Sequence, residues 1–384
     1  MPMRGRRLSA ILLAIMVAVT VACSPRATRG VPTAPTAPTS RTAMLQEQDR
    51  PRSFSVVATG DILIHPPLTA QADRDEGEVG DGRRDFRDLF AGIRPVIQRA
   101  DVALCHLEVP LAAPGGPFSG YPAFNAPPEL ADALVDTGYD ACSTASNHTL
   151  DQGEEGVKRT LDAMDAAGLR HTGSARSARE AAKPLLMDVG GVTVGHVSYS
   201  YGFNGIPLPA GKSWLANQLS AEQVIAEAKR ARSAGADVVI ASLHWGEEYR
   251  HEPSAEQTTL ARRLLGTTAI DLIVGHHAHV VQPMEHIKGK WVAYGLGNSV
   301  ARHEEPRGVS EEGIAARFRF TRGAQGWRVD KAEYVPTLVD LGPPIRLRDL
   351  TAPSAEPAPK SLRRIDRIVR SRNGGQHELS RPRR

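Results

Sequence analysis

The sequence predicts an α/β fold built on a largely parallel sheet, with antiparallel strands completing the domain. Short apolar runs such as SVVATGD, DVALCHLE and ADVVIASLHWG alternate along the chain with amphipathic stretches of helical period. The last apolar runs, WVAYGLGN, GIAARFRF and GWRVDKAEYVPTLV, follow one another without intervening helices. We expect residues 53–340 to form this folded body, since that length suits one large hydrophobic core.

Residues 1–22 resemble a bacterial signal peptide of the lipoprotein type. A positively charged start precedes the apolar stretch from Leu8 to Ala22, which is short for a bilayer span. The small Ala22 stands before Cys23, as in cleavage boxes whose cysteine becomes the acylated first residue. Thr20 is not the usual leucine of that box, so simple secretion and an uncleaved anchor stay open as alternatives. We expect an exported lipoprotein on the outer side of the cell membrane.

Two further segments differ in composition from the body. Residues 23–52 are rich in Pro, Thr and Ala, and they predict a disordered tether. Residues 341–384 form a basic, Pro- and Arg-rich tail in which four apolar residues recur at helical spacing beside arginines. These are Leu362, Ile365, Ile368 and Val369. They predict a short helix, either on a lipid or acidic-polymer surface or packed on the body with its arginines in solvent.

The formal net charge of +4 belongs mostly to the two ends of the chain. Arg4, Arg6 and Arg7 contribute +3, and the residues beyond Thr351 hold nine Lys/Arg against three Asp/Glu, a charge of +6. Subtracting +3 and +6 from +4 leaves a body near −5. Such a body is not typical of nucleic-acid-binding proteins, so we expect no nucleic-acid partner.

Two cysteines, Cys105 and Cys142, end the apolar runs DVALC and YDAC. They are predicted to be buried neighbours in adjacent strands. Export would allow such a pair to oxidise. We nevertheless expect free thiols, because neighbouring strands rarely provide suitable disulfide geometry.

Polar side chains follow five of the predicted strands at the point where each strand ends. They are Asp61, Glu108, Asn147, His148, His244, His277 and His279. The carboxyl ends of parallel strands meet at one edge of a sheet, so these side chains should converge there. In GHHAH, two imidazoles stand at positions i and i+2 on one face of an extended segment. Such a mixed donor set suits Mn, Fe or Zn, as one ion or as a pair.

The stretch STASNHTLDQG combines an amide, an imidazole and a carboxylate. Asn147 can offer its amide oxygen to a metal, and His148 can protonate a leaving group. Asp151 either orients that imidazole or caps the helix that begins near Glu154. Both residues, His148 and Asp151, are therefore candidates for catalysis.

Weaker candidates lie in HWGEEY and YGLGN. Glu247 and Glu248 are either substrate contacts or solvated carboxylates, and we favour solvation for Glu248. In YGLGN, two glycines permit close backbone approach to the site, and Asn298 follows them as a candidate substrate contact. The remaining histidines have no comparable setting and are interpreted as structural or exposed: His171, His196, His251, His286 and His303.

Several of these stretches resemble the CapA family of capsule and poly-γ-glutamate biosynthesis proteins. They are ATGD, LEVPL, SNHTLDQGEEGVKRTLDAMDAAGLRHTGSAR, SLHWGEEYRHEPSAEQ and GHHAHVVQPMEHIKGKWVAYGLGNS, in this order. The resemblance implies a metallophosphoesterase-like four-layer αββα sandwich with mixed sheets. It also implies that the metal site comprises Asp61, Glu108, Asn147, His244, His277 and His279.

Two positions depart from the patterns that the resemblance brings with it. The family usually has an asparagine where His106 stands before LE. The first metallophosphoesterase motif carries Asp-x-His, whereas here His65 follows Asp61 by four residues.

The resemblance implies two functions from different classes. One is a metal-dependent hydrolase or transferase that acts on an extracellular anionic polymer, poly-γ-glutamate or another capsule polymer. The other is a non-catalytic accessory protein that binds the polymer during export or anchoring.

Overall fold

The computed structural model describes residues 52–76, 84–303, 307–353, 355–373 and 379–382. The expected signal peptide, Cys23 and nearly all of the expected tether lie outside these residues. The strands are β1 Ser53–Ile62, β2 Val102–Leu107, β3 Ala141–Ser143, β4 Arg170–Thr172, β5 Leu185–Val189, β6 Val192–Ser200, β7 Val238–His244, β8 Leu272–His276, β9 Met284–Ile287, β10 Lys290–Ala293, β11 Asn298–Val300, β12 Glu312–Gly323, β13 Gly326–Leu341 and β14 Ile345–Asp349. The helices are α1 Pro66–Asp75, α2 Arg87–Phe90, α3 Arg94–Ile97, α4 Glu129–Thr137, α5 Gly153–Ala167, α6 Ala178–Ala181, α7 Ala221–Ser233, α8 Ala255–Leu265 and α9 Pro359–Val369. Within the described residues, no helix combines the length and apolarity that a membrane span requires.

The strands form two mixed sheets. The first sheet has the order β14-β13-β12-β1-β2-β3-β4, and β11 also pairs with β1. Its β1, β2, β3 and β4 are parallel, whereas β12, β13 and β14 are antiparallel to their neighbours. The second sheet has the order β5-β6-β7-β8-β10-β9, with parallel pairs from β6 to β10 and an antiparallel strand at each edge.

Three apolar clusters show how the layers stack. Alternate residues of one strand face opposite sides of a sheet, so Val56 and Val57 of β1 enter different clusters. Val57 packs with residues of α1, α4 and α5, whereas Val56 packs between the two sheets with Ile240 of β7. Val239, on the other side of β7, packs with residues of α7 and α8. The order of layers is therefore helices, sheet, sheet, helices, as the predicted four-layer αββα sandwich requires.

Helix α5 shows how the sequence pattern selects the buried face. Val157, Leu161 and Met164 fall on one side of the helix and are all buried against the first sheet. The helix ends at Gly168, whose φ of 81° is a conformation that glycine adopts readily. The predicted core stripe of this helix is therefore confirmed.

The end of the domain departs in part from the predicted antiparallel arrangement. Strands β12 and β13 are antiparallel as expected, but both strands within WVAYGLGN have parallel partners. Strand β10 pairs with β8 in parallel, and β11 pairs with β1 in parallel. The reason is β9, which forms an antiparallel pair with β10 and thereby turns β10 into the direction of β8.

The expectation of free thiols at Cys105 and Cys142 is wrong, because the two residues form a disulfide. They are neighbours in adjacent strands, as predicted, and lie directly opposite each other in the parallel pair β2–β3. Their Cα atoms are 4.4 Å apart, which is within the range that a disulfide can bridge.

The basic tail contributes structure to the body. Strand β14 extends the first sheet, and α9 packs its buried Ile365 and Val369 into the cluster between the sheets. Leu379 lies in the same cluster. The helix predicted in the tail thus exists and lies on the body rather than apart from it.

Candidate functional site

The predicted polar residues come from both sheets and meet where their parallel strands end. Asp61 is the second-last residue of β1, Glu108 follows β2, and Asn147 follows β3 of the first sheet. His244 ends β7, and His277 and His279 follow β8 of the second sheet. All six side chains are buried. The site therefore lies across the junction between the two sheets.

Close backbone contact brings these two halves together. A Cβ atom at Gly60 would come within 2.0 Å of the carbonyl oxygen of Gly297, so only glycine fits before Asp61. Gly297 itself has a φ of 70°, which favours glycine. The glycines of YGLGN thus provide the close approach that the sequence predicts, and Asn298 pairs directly with Asp61 between β11 and β1.

Asp61 is held by three groups from the end of β8 and the segment that follows it. Its Oδ1 lies 3.0 Å from Nδ1 of His276, its Oδ2 accepts the backbone N–H of His277 at 2.9 Å, and Oδ2 lies 3.4 Å from Nδ1 of His279. Burial alone would raise the pKa of Asp61, but the hydrogen bonds from His276 and His279 outweigh it and hold that pKa well below its usual range. Asp61 is therefore a carboxylate.

Glu108 has a different environment. Both of its carboxylate oxygens are buried, yet neither has a hydrogen-bond partner among the residues that the structure describes. Oε1 lies 3.6 Å from Nε2 of His279 and 3.9 Å from Nε2 of His244, beyond hydrogen-bond distance. Burial raises the pKa of Glu108 well above its usual range. Since buried acceptors are nearly always paired in proteins, these two oxygens indicate a site for a ligand.

His279 lies between the two carboxylates. Burial alone would lower its pKa, but the charge of Glu108 and the hydrogen bond to Asp61 outweigh it and raise that pKa to about 10. Its Nδ1 also lies 2.9 Å from Oδ1 of Asn298, whose amide group donates to the carbonyl oxygen of Ser310 at 2.7 Å. Asn298 therefore positions His279, while its predicted role as a substrate contact stays a prediction.

A hydrogen-bonded chain links Asn147 to the interior. His244 Nε2 lies 2.8 Å from Oδ1 of Asn147, and His244 Nδ1 lies 2.9 Å from Nε2 of His106. His106 Nδ1 lies 2.7 Å from Oγ of Ser143. An amide oxygen only accepts, so His244 donates from Nε2 and accepts at Nδ1 from His106. Burial lowers the pKa of both histidines well below the usual range, which fits two neutral rings.

His277 lies beside the ring of His244, with 4.7 Å between the ring centroids, and the ring of Tyr201 lies 4.6 Å from that of His277. In the described part of the chain, the buried Nδ1 of His277 has no hydrogen-bond partner. Ligand atoms of His277, His279 and Glu248 lie within 4.8 Å of one another. Glu248 is exposed, as expected, but its carboxylate reaches the histidines, whereas Glu247 forms an ion pair with Arg250.

His148 and Asp151 form a pair at the edge of this cluster. His148 Nδ1 lies 2.7 Å from Oδ2 of Asp151, and the ring of Phe124 lies edge-on against the imidazole at 4.7 Å. Helix α5 begins with Gln152 as its N-cap residue, without a side-chain cap. Of the two roles weighed for Asp151, the structure thus contains the contact that orients His148.

Sequence reasoning missed several histidines of the site. His106 and His276 stack with 4.0 Å between ring centroids, and together with Asp61 they form a further group of potential ligands. His303 lies 5.9 Å from the ring of His279 and 4.7 Å from that of His65. His303 therefore belongs to the edge of the site and is not merely structural or exposed.

The sequence held a signal for two of the missed residues. His276 is the first of three histidines in GHHAH, and His106 occupies the strand position next to Leu107 and Glu108. Both were hidden because they stand inside strands that otherwise read as apolar. No comparable signal marked His303, which lies far along the chain from its neighbours in the site.

The donor set suits a divalent metal ion. Asp61, Glu108 and His279 place one ligand atom each within 4.8 Å of one another, and Glu248, His277 and His279 form a second such group that shares His279. A cation beside Glu108 would satisfy its two unpartnered oxygens, and ligation through Nε2 of His279 would displace the proton that Asp61 and Glu108 favour on that ring. Carboxylates and imidazoles suit Mn, Fe and Zn. His244 and Asn147 already hydrogen-bond to each other, so ligation by either would replace that contact.

Comparison with solved structures gives weak similarities. A calcineurin-like phosphoesterase of Bacillus subtilis, YfkN, aligns with a TM-score of 0.41 and 15% identity over 82% of this chain and 96% of that one. A 5'-nucleotidase precursor of Thermus thermophilus aligns with a TM-score of 0.41 and 19% identity over 74% of this chain and 54% of that one.

Comparison with curated proteins gives closer relatives. The capsule biosynthesis protein CapA of Bacillus anthracis is 32% identical over 177 residues, 45% of this chain and 42% of that protein. The PGA biosynthesis protein CapA of Bacillus subtilis is 34% identical over 183 residues, 45% of each chain. A probable polyglutamine synthesis accessory protein of Mycobacterium tuberculosis is 29% identical over 222 residues, 53% of this chain and 56% of that one. The chain thus spans about half the length of the curated relatives that it matches.

The family model for the bacterial capsule synthesis protein PGA_cap matches residues 55–303, which include every residue of the site described above. This match confirms the resemblance to CapA that the motifs indicate. The chain belongs to the PGA_cap family of bacterial capsule synthesis proteins.

Proposed function

We propose that the protein is a metal-dependent hydrolase or transferase that acts on an extracellular anionic polymer, poly-γ-glutamate or another capsule polymer. The observation that carries the proposal is Glu108, whose two buried oxygens have no partner beside Asp61 and His279. Burying a carboxylate without a partner costs free energy, and a purely structural site would gain nothing from it. Glu108 therefore indicates a site that binds a ligand. The family match supports capsule or polyglutamate synthesis as the context.

Asp61, Glu108 and His279 would hold an ion, and His277 and Glu248 belong to a second group of potential ligands that shares His279. When bound, a divalent metal supplies Lewis acidity and lowers the pKa of coordinated water to about 7. Asn147 and His244 form the wall of the site beside Glu108.

His148 is the proposed general acid. Asp151 accepts the proton of its Nδ1, which leaves Nε2 free for a substrate atom. With a proton on each ring nitrogen, the imidazolium would donate from Nε2 to the leaving group of an amide or ester and become neutral, while Asp151 would keep the Nδ1 hydrogen bond and the orientation of the ring.

A cation beside the site supports an anionic substrate. The guanidinium of Arg307 lies 3.8 Å from the centre of the Tyr249 ring, and that ring lies 5.9 Å from the ring of His279. Arg307 is exposed and can therefore reach a carboxylate of a polymer that enters the site.

Location is a separate part of the proposal. We infer that the protein is exported and held at the cell membrane by a lipid on Cys23. The disulfide between Cys105 and Cys142 supports export, because oxidised pairs persist mainly in extracytoplasmic compartments.

A second candidate function is a non-catalytic accessory protein that binds polymer for export or anchoring. Two observations favour it. The Mycobacterium tuberculosis relative carries the name of an accessory protein. In this chain His244 and Asn147 satisfy each other, so the site has fewer free donors than the six that the resemblance implies.

Elemental analysis of the protein purified without chelator tests the first proposal. We expect about one equivalent of Mn, Fe or Zn or more in the wild type and a large loss in Glu108→Gln. Glu247→Gln is the matched control, since Glu247 is exposed and pairs only with Arg250 among the described residues. Less than about a tenth of an equivalent in the wild type, unchanged after soaking with Mn or Zn, would favour the accessory protein.

A further inference from the structure

The outer face of helix α9 carries a row of cations that the site described above does not use. Lys360, Arg363, Arg367 and Arg370 are all exposed. At 100° per residue they fall within an arc of about 80° on one side of the helix. The buried Ile365 and Val369 lie on roughly the opposite side. The packing of α9 on the body thus turns these four charges toward solvent.

Neighbouring arginines behave differently. Arg364 forms an ion pair with the buried Glu312, and Arg372 pairs with Glu252 and Glu285. On the adjacent strands, Arg319 pairs with Asp330 and Lys331 pairs with Glu333. Within the part of the chain that the structure describes, the four cations of the row have no such partner.

The acidic residue of α9 does not neutralise the row. Asp366 accepts a hydrogen bond from the hydroxyl of Tyr334 at 2.8 Å and lies 3.6 Å from Nε of Arg381. Its carboxylate is therefore directed toward β13 and the last residues described. The row remains a single-sign strip about 15 Å long, given a rise of 1.5 Å per residue.

Helix α9 is also joined to the edge of the candidate site. Arg364 donates to the carbonyl oxygen of Gly308 as well as to Glu312. Gly308 directly follows Arg307, the residue that stacks on Tyr249 beside His279. The helix that carries the strip is thus hydrogen-bonded to the residue next to the cation of the site.

We propose that the outer face of α9 is a docking surface for a polycarboxylate chain whose repeating unit carries one free carboxylate. Charge complementarity supports this assignment. The rest of the folded body has a net charge near −5, so the row of unpaired cations attracts a polyanion to one place on the surface. A uniformly basic protein would attract the polyanion over its whole surface. The inference rests on the proposed function, because it concerns the same polymer, but it assigns binding to residues outside the candidate metal site.

Full-length protein in non-ionic detergent, titrated with poly-γ-glutamate at low salt, tests the inference. One variant carries Lys360→Gln, Arg363→Gln, Arg367→Gln and Arg370→Gln. The matched control replaces four exposed cations elsewhere by Gln: Arg99, Arg179, Lys183 and Lys229. We expect the first variant to bind the polymer about tenfold more weakly and with a shallower salt dependence, and the control to bind like the wild type.

Four results decide the matter. Equal affinity of the wild type and the α9 variant for poly-γ-glutamate would overturn the inference. If Arg307→Gln alone then weakened polymer binding, the proposed function would still hold. Equal weakening in the control variant would also overturn it, because total charge would then explain binding. Flotation with phosphatidylglycerol and with phosphatidylcholine vesicles tests whether the row binds a membrane instead. If the four substitutions reduce only the preference for anionic vesicles and leave polymer binding unchanged, polymer docking is contradicted. A wild type that binds no poly-γ-glutamate would overturn this inference, whereas the metal content of the protein tests the proposed function separately.

Discussion

His148 Nδ1 lies 2.7 Å from Oδ2 of Asp151, and the same oxygen accepts the backbone N–H of Phe124 at 2.8 Å. Two donors from separate parts of the chain therefore hold one carboxylate in place. Because the Asp151 side chain is almost fully buried, the pair has a fixed geometry before any substrate arrives.

This geometry separates the role of His148 from that of a metal ligand. We expect His148→Ala to retain metal and polymer binding but to lose turnover by a factor of about 10² to 10⁴, since it removes proton transfer. We expect His277→Ala to lose metal, because its unpartnered Nδ1 lies in the donor cluster. Metal content and polymer cleavage are measured on the same preparations. Equal metal loss in both variants would show that His148 is a ligand.

The disulfide predicts a large stability effect. Cys105 and Cys142 are 37 residues apart, and closing a loop of that length stabilises a fold by about 3–4 kcal/mol in the chain-entropy account. Replacing both cysteines by alanine should lower the free energy of unfolding by roughly this amount. Urea unfolding with and without reductant checks it, with the double variant as the control that reductant leaves unchanged. A wild type insensitive to complete reduction would contradict the prediction.

His196 predicts a pH dependence. Burial lowers its pKa to about 3, whereas an unfolded histidine titrates near 6.5. Between these values the unfolded chain binds a proton that the folded chain does not. The free energy of unfolding therefore falls as the pH drops through this window, by up to about 1.4 kcal/mol per pH unit for this group.

The variant His196→Gln isolates the contribution of His196. The replacement loses the bond between Nε2 and Ser242 Oγ at 2.8 Å, a loss that is nearly independent of pH. We expect a shallower decline of stability between pH 6.5 and pH 4.5 than in the wild type, measured by urea unfolding. Near pH 8 the two profiles should run parallel, because His196 is neutral there in both the folded and the unfolded chain. Parallel declines at acid pH would mean that His196 is already protonated in the folded state.

Cys23 predicts a location that salt can test. If Cys23 is acylated, the native protein should stay with the membrane fraction at about 1 M salt, since acyl chains do not depend on charge. Cys23→Ser should release it. The cations of α9 alone would give about 1 kcal/mol per charge near an anionic surface, and salt would remove that attraction. Release of the unaltered protein by salt would assign the attachment to charge.

Strand ends were the most informative feature of the sequence. Asp61, His244 and His279 could be placed in one site because the ends of parallel strands converge. His106 could not, since a buried imidazole inside a strand is indistinguishable in sequence from a structural histidine. Its role depends on His244, which is 138 residues away, and on a contact between the two sheets.

The disulfide and the placement of β11 escaped prediction for a related reason. Whether Cys105 and Cys142 face each other depends on the register of β2 and β3, and a shift by one residue would turn them to opposite faces. After β10 of the second sheet the chain crosses to the first sheet, where β11 pairs with β1 beside the close contact between Gly60 and Gly297. Such long-range pairings are properties of the assembled fold, and local patterns do not contain them.

The division of the donors between the sheets has a mechanical consequence. Asp61 and Glu108 belong to one sheet, whereas His279 follows β8 of the other, so an ion held by these three residues would link the two sheets. An ion at one hundred times its Kd would add about 2.7 kcal/mol to the stability of the assembled sandwich. Chelation of the ion would then weaken the contact between the two sheets. Loss of activity and loss of stability would therefore occur together.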